Sequence, residues 1–205
     1  MGKRHLTGFS HGAAGIAYAL LKLYRETGDR EFYNAAQEGI NFENHEFVPE
    51  KNNWPDHREL NQKGSKETGP NFSVSWCHGA PGIGLARLGA LDVMDSQSIR
   101  NDIRCALITT EQCGELTQDH ICCGNAGLAE TLLVAGGKLH DPGWTQKALR
   151  IMSNIAVRIK GGSIGGDTFR NGFCHPSLFQ GAAGVGYQFL RLSCPEKIPS
   201  VLLLE

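Results

Sequence analysis

Four copies of a glycine tetrad, Gly-x-x-Gly followed by an apolar residue, constrain the fold of this chain more than any other feature. The four tetrads begin 67, 45 and 57 residues apart, at Gly12, Gly79, Gly124 and Gly181. Nine residues after each first glycine stands a leucine, at Leu21, Leu88, Leu133 and Leu190. A repeat with a fixed register indicates a structural unit that buries its apolar face by stacking on its neighbours.

The repeat predicts pairs of helices. Each tetrad opens a run that is apolar around much of its circumference, such as residues 16–23 and 128–135, which indicates a buried inner helix. More polar, amphipathic stretches at about 29–44, 96–112 and 144–160 predict outer helices. Residues 52–74 and 161–179 are rich in Gly, Pro, Asn and Ser and are expected to be long loops. Clear strand alternation is absent, so the predicted class is all-α.

Composition excludes several classes of protein. The 20 basic and 21 acidic residues give a net charge of −1, which argues against a surface that tracks nucleic-acid phosphates. No apolar run approaches the ~18 residues of a membrane helix, and the first residues lack the apolar core of an export signal. A cytoplasmic protein without a nucleic-acid partner or a transmembrane segment is therefore expected. In that compartment its seven cysteines are expected to be thiols or metal ligands rather than a disulfide framework.

Cysteine and histidine stand directly before three of the four tetrads. The preceding pairs are Ser10-His11, Cys77-His78, Cys122-Cys123 and Phe179-Gln180. Equivalent positions of a closed helical array come together in space, so Cys77, Cys122 and Cys123 can converge. Three thiolates on Zn²⁺ leave a fourth tetrahedral position open, and helix N-termini help to keep thiols ionised. The alternative, that these cysteines are small buried hydrophobes, stays open at this point.

The remaining candidates divide by register. His11 stands one residue before its tetrad, where acid–base chemistry competes with capping or packing, and His78 shares that register. Cys174 lies out of register. Structural roles are expected for Cys105, Cys113 and Cys194, and surface or loop positions for His5, His45, His57, His120 and His140. The Gly-x-Gly sequences at 82–84 and 184–186 follow no strand, so a dinucleotide loop is rejected and no organic cofactor is expected.

Together these motifs resemble a known family. Residues 8–15 (GFSHGAAG), 76–82 (WCHGAPG) and 122–127 (CCGNAG) are similar to the lanthionine synthetase C-like (LanC-like) cyclases. Residues 176–187 (PSLFQGAAGVGY) and 198–205 (IPSVLLLE) resemble the C-terminus of the bifunctional class II lanthipeptide synthetases (LanM). The similarity runs over nearly the whole chain, and the motifs in combination are highly specific.

The resemblance implies an α/α toroid that binds one zinc ion. The family's three metal ligands fall on Cys77, Cys122 and Cys123, and its active-site histidine falls on His11. The implied reaction adds a peptide cysteine thiol to dehydroalanine or dehydrobutyrine in a dehydrated precursor peptide. A Cys-Cys pair, where stand-alone cyclases have Cys-His, is similar to one subgroup of the class II enzymes.

The chain also departs from the family's pattern. Family toroids have seven inner helices, whereas four are visible here, and the dehydratase domain of a class II synthetase is missing. Ser73 stands where some stand-alone cyclases have an arginine, and the family's catalytic aspartate has no counterpart that can be placed. Residues 1–205 are thus expected to form the C-terminal portion of a LanC-like cyclase domain, a partial toroid. The apolar faces of its first and last inner helices, including Ile16 and Val185, are expected to be exposed, and a separately encoded N-terminal synthetase part is an expected partner.

These motifs leave three functions to compare. The leading hypothesis is zinc-dependent thioether formation in lanthipeptide biosynthesis, impaired to some degree by the missing part. The alternative is a non-catalytic, zinc-dependent module that binds a thiol such as glutathione. A helical toroid that hydrolyses sugars would need paired carboxylates where this sequence has Cys and His, which disfavours it.

Overall fold

The computed structural model describes residues 5–58, 70–162, 169–170 and 173–205. Its contacts divide the chain into two compact units, Met1–Ala106 and Leu107–Glu205, and each is described by itself. Among the described residues, no helix combines the length and the apolar character needed to cross a membrane.

The first unit is helical. Helix α1 (Ala13–Thr27) packs against α2 (Arg30–Glu46) and α3 (Ala80–Ala90), and a short 3-10 turn covers Pro49–Lys51. Helix α4 (Gln97–Gln112) begins in this unit and ends in the second. Gly28 closes α1 with φ of 72°, a left-handed conformation that glycine adopts without a steric penalty.

The second unit is built on α5 (Asn125–Lys138), which packs against α6 (Pro142–Lys160) and α7 (Ala182–Ser193). A 3-10 turn covers Val201–Leu203 near the C-terminus. Two-residue strands β1 (Phe169–Arg170) and β2 (Phe173–Cys174) pair antiparallel inside the predicted loop. Sequence alternation could not reveal this pairing, because two residues are too few to establish a period.

Inner and outer helices alternate along the chain as the repeat predicts. All 11 residues of α3 are buried, as are residues 125–136 of α5, which identifies both as inner helices. Each of α2, α4 and α6 has one apolar face, and their observed bounds lie within two residues of the predicted ones. Asp29 and Asp141 cap α2 and α6 by accepting hydrogen bonds from the backbone N–H groups of Glu31 and Gly143.

The second glycine of every tetrad occupies the same position in the fold. A Cβ atom built on it would lie 1.9 to 2.2 Å from the carbonyl oxygen of the residue six positions earlier, at Gly15, Gly82, Gly127 and Gly184. A side chain larger than hydrogen therefore cannot be placed there unless the backbone moves. The tetrad lets the preceding loop fold back onto the first turn of its helix, which explains why cysteine and histidine recur at one register.

The predicted exposed faces are confirmed for the first inner helix and wrong for part of the last. Ile16 and Leu23 of α1 are 64% and 45% exposed. In α7, however, Val185 is only 2% exposed, whereas Leu190 is 59% exposed. The face that α7 leaves open is thus rotated from the one expected, because its first turn packs beside Ile121 within the second unit.

Candidate functional site

Cys77 lies in a tight loop directly before α3. The Ser75 hydroxyl oxygen is 3.3 Å from the Cys77 sulfur, and it accepts a hydrogen bond from the His78 backbone N–H. The Ser75 N–H donates to the His78 carbonyl oxygen at 3.1 Å. Gly79, which closes the loop, has φ of 85°, and a Cβ there would meet the Ser73 carbonyl oxygen at 1.8 Å. Cys77 is consequently buried and fixed two residues before the N-cap of α3.

His11 lies beside this loop, in the same unit. Its ring stacks on the ring of His78 with centroids 5.0 Å apart and planes 9° from parallel. His11 is exposed, whereas His78 is only 1% exposed. Within the first unit the structure therefore brings together the predicted catalytic histidine and the loop that carries the predicted ligand Cys77.

A buried carboxylate stands behind His78. The Asp56 carboxylate accepts three hydrogen bonds from the Arg58 guanidinium, the shortest at 2.6 Å. Burial alone would raise the pKa of Asp56, but the hydrogen bonds from Arg58 hold this pKa below its ordinary value. No motif in the sequence singled out Asp56. Its signal was an Asp-x-Arg pattern 22 and 20 residues before His78.

The surroundings of the His78 ring act in opposite directions on its pKa. Its Nδ1 atom is 3.8 Å from the Asp56 carboxylate, and neither ring nitrogen has a hydrogen-bond partner among the described residues. Burial lowers the pKa of the imidazole, although the Asp56 charge opposes this effect. The buried His78 imidazole next to Cys77 supports the exposed His11 ring by stacking on it.

Cys122 and Cys123 form a thiol pair in the second unit. Their sulfur atoms are 3.2 Å apart, and both side chains are half-buried. The backbone N–H of Cys122 donates to the Phe179 carbonyl oxygen at 3.0 Å, and that of Cys123 donates to His120 Nδ1 at 3.2 Å. The expectation that His120 is a surface or loop histidine is wrong in part, because its side chain is buried in the loop that carries the thiols.

The outer helix α6 supports this loop. The Asp119 carboxylate, which is fully buried, accepts hydrogen bonds from the Arg158 guanidinium of α6 and, at 2.8 Å, from the Asn125 side chain. Asn125 also binds the backbone of Leu116 through both its side-chain oxygen and its side-chain nitrogen. These hydrogen bonds hold Leu116 and Asp119 of the loop against Asn125, the first residue of α5.

The remaining cysteines have different surroundings. Cys105 lies in α4, Cys113 lies just past the end of α4 rather than inside it, and Cys194 caps α7. None of the described cysteines is in a disulfide. Burial raises the pKa of the Cys105 and Cys113 thiols, which disfavours their ionised form. The side chain of Cys174 lies outside the described residues.

Two of the candidate cysteines lie next to helix N-termini. Cys77 precedes the N-cap of α3 by two residues, and Cys123 directly precedes Gly124, the N-cap of α5. The partial positive charge of a helix N-terminus stabilises nearby anions and lowers thiol pKa values. Both loops therefore have the donor chemistry that zinc prefers.

The family follows from comparison with known proteins. Residues 2–203 match the family model of the lanthionine synthetase C-like protein. The chain belongs to this family. A curated relative, the lacticin 481/lactococcin biosynthesis protein LcnDR2 of Lactococcus lactis subsp. lactis, is 29% identical over 86 residues, which cover 42% of this chain and 8% of LcnDR2.

The solved structure of nisin cyclase is similar to this LanC-like chain. It matches with a TM-score of 0.69 and 22% sequence identity over 98% of this chain and 50% of the nisin cyclase chain. At this level of identity the likeness shows the fold, and it confirms the predicted class: all-α, a partial α/α toroid. The chain spans about half the length of nisin cyclase and a much smaller share of LcnDR2.

Proposed function

We propose that this LanC-like chain takes part in zinc-dependent thioether formation during lanthipeptide biosynthesis. In that reaction a cysteine thiol of a precursor peptide adds to a dehydroalanine or dehydrobutyrine of the same peptide. Two observations together carry the proposal. The chain belongs to the family, and thiols stand directly before the N-termini of inner helices α3 and α5. The described cysteines form no disulfide, which favours the cytoplasm as the location of this chemistry.

The proposed metal ligands are Cys77, Cys122 and Cys123. The resemblance to the family supports this assignment, because the family's three ligand positions fall on these residues. Sulfur atoms on a tetrahedral zinc ion are about 3.8 Å apart, so the 3.2 Å pair of Cys122 and Cys123 needs only a small adjustment to share a metal. Three thiolates leave one zinc position for the substrate.

His11 is the proposed proton donor of the addition. Zinc bound by the three thiolates would lower the pKa of the substrate thiol, so that the nucleophilic thiolate is present at neutral pH. As the S–C bond forms, the electrons of the C=C bond move onto the adjacent carbonyl and give an enolate. His11, which is exposed and stacks on the His78 ring, delivers a proton to the α-carbon. The thiol proton is released, so the addition leaves the mass of the peptide unchanged.

A second candidate function is thiol binding without catalysis. It is favoured by the retained thiols together with Ser73, which stands where some stand-alone cyclases have an arginine. Under this alternative the site holds the thiol of glutathione or a peptide, and no ring is formed. A separately encoded N-terminal synthetase part is the proposed partner that would complete the substrate cavity.

Both functions are tested with a dehydrated precursor peptide that contains one cysteine. Because ring formation consumes a thiol without a change in mass, the assay is alkylation of the remaining thiol followed by mass spectrometry. The proposal expects slow loss of alkylation by the chain alone and faster loss when the N-terminal part is added in trans. A variant lacking Cys77 should be inactive, and Cys105→Ala is the matched control. Tight peptide binding with no ring formation, even with the N-terminal part, would replace the first proposal by the second.

A further inference from the structure

Three largely buried side chains of the first unit, Glu43, Arg87 and Asp102, form an ion-paired triad. Glu43 of α2 has no exposed surface, and its Oε2 atom accepts a hydrogen bond from Arg87 Nη2 at 2.8 Å. Arg87 of α3 is 1% exposed, and its Nε atom donates to the Asp102 carboxylate of α4 at 3.1 Å. The triad thus joins three helices.

Stability alone gives little reason for burying these charges. Removal of a carboxylate and a guanidinium from water costs about as much as their attraction returns, and apolar pairs of similar volume often stabilise a fold as well. The other carboxylate oxygen of Glu43, however, makes its hydrogen bond outside the triad. Its Oε1 atom accepts a hydrogen bond from the backbone N–H of Gly8 at 3.0 Å.

Gly8 lies where the His11 loop meets the Cys77 loop. It has φ of 99°, and a Cβ on it would be 2.8 Å from the Cys77 carbonyl oxygen and 3.0 Å from the His78 Cα. The backbone of Gly8 is therefore pressed onto the backbone of Cys77 and His78. Three residues later, His11 stacks on the His78 ring. The hydrogen bond from Gly8 fixes the start of the loop whose tip carries this ring.

We propose that Glu43 is a positioning residue for His11. Arg87 and Asp102 fix the Glu43 carboxylate, the carboxylate fixes Gly8, and Gly8 sets the stacking of His11 on His78. The significance of this inference for catalysis rests on the proposed function, in which His11 delivers a proton. The geometric claim itself can be tested without metal, peptide or turnover.

The test compares three double variants of the full chain by NMR spectroscopy. Glu43→Met with Arg87→Met removes the acceptor and its charged partner, and Asp102 loses its ion pair with Arg87 equally in this variant and in the next. Glu43→Gln with Arg87→Met restores a carbonyl acceptor for the Gly8 N–H but not the charge. The readout is the set of nuclear Overhauser cross-peaks between the His11 and His78 rings.

The matched control lies in the second unit. Glu130 of α5 is also buried, and it accepts hydrogen bonds from Arg191 at 3.2 Å and from Gln188 at 2.8 Å. Glu130→Met with Arg191→Met therefore disrupts a comparable buried pair whose residues belong to the other unit. It controls for a general loss of stability.

The proposal expects the ring cross-peaks to disappear in the first variant and to return in the glutamine variant, while the second-unit control keeps them. Cross-peaks that persist in the first variant would overturn it, as would their equal loss in the control. A measurement on the unaltered chain decides the matter if the variants do not fold. The Gly8 amide should exchange its hydrogen about 100-fold or more slowly than an unstructured amide, and unprotected exchange would contradict the proposal.

Discussion

The substitution Gly127→Ala should damage the loop that carries the thiol pair. Gly127 is the second glycine of the third tetrad, and a Cβ on it would lie 2.2 Å from the Ile121 carbonyl oxygen. That contact must lengthen by about 0.8 Å to reach 3.0 Å, below which Cβ contacts are essentially never observed. The obstacle is backbone and not the end of a flexible side chain. Residues 121–123 therefore have to shift, and strain of this kind costs about 1–3 kcal/mol.

Gly137→Ala on the same helix is the matched control, because a Cβ on Gly137 would have nothing within 4 Å. Both variants gain the same helix propensity, about 0.5–1 kcal/mol, so the difference between their unfolding free energies isolates the strain. Urea unfolding should place Gly127→Ala about 1–3 kcal/mol below Gly137→Ala, with weaker zinc binding in Gly127→Ala alone. Equal stability and equal zinc affinity of the two variants would refute the explanation of the glycine repeat.

Three further predictions concern the histidine, the buried carboxylate and the exposed face of α1. His11→Asn should slow ring formation by about 10²–10⁴-fold with zinc content unchanged, and a loss below threefold, or a loss of zinc, would remove its assigned role. Asp56→Asn should cost about 1.5–3 kcal/mol at neutral pH. The pKa of Asp56 is held below its ordinary 3.8, so the stability difference between the parent chain and Asp56→Asn should shrink as the pH falls from about 4 through the lower pKa of the folded state. A stability difference in urea unfolding that does not change with pH would contradict the pairing. The exposed apolar side chains of Ile16 and Leu23 on α1 are expected to bring copies of the chain together. Ile16→Gln with Leu23→Gln should therefore reduce self-association in sedimentation experiments, and a monomeric parent chain would refute that expectation.

The sequence was sufficient for the helical architecture because the repeat encodes it locally. Each tetrad fixes where an inner helix begins, and the observed starts at Ala13, Ala80, Asn125 and Ala182 follow the first glycine directly. Amphipathic periodicity predicted the outer helices to within two residues. The pairing of β1 with β2 and the burial of Val185 were missed because they depend on what packs against a segment, and periodicity carries no such information.

The sequence predicted the positions of the candidate site residues along the chain, but not the contacts that hold their loops in place. Position before the tetrads predicted that Cys77, Cys122 and Cys123 lie at the starts of inner helices, as they do before α3 and α5. The supporting contacts join residues that are far apart in the sequence. Asp119 pairs with Arg158, 39 residues away, and Glu43 binds the backbone of Gly8, 35 residues away. No local pattern distinguishes these buried charged side chains from the solvated charges of an ordinary amphipathic helix.

The zinc content of the purified chain tests the central claim most directly. Elemental analysis should find about one zinc ion per chain after reconstitution. The triple variant with alanine at Cys77, Cys122 and Cys123 should bind none, whereas the control variant with alanine at Cys105, Cys113 and Cys194 should keep its metal. A parent chain that stays free of zinc after reconstitution, or a control variant that loses zinc as completely as the first, would contradict the account.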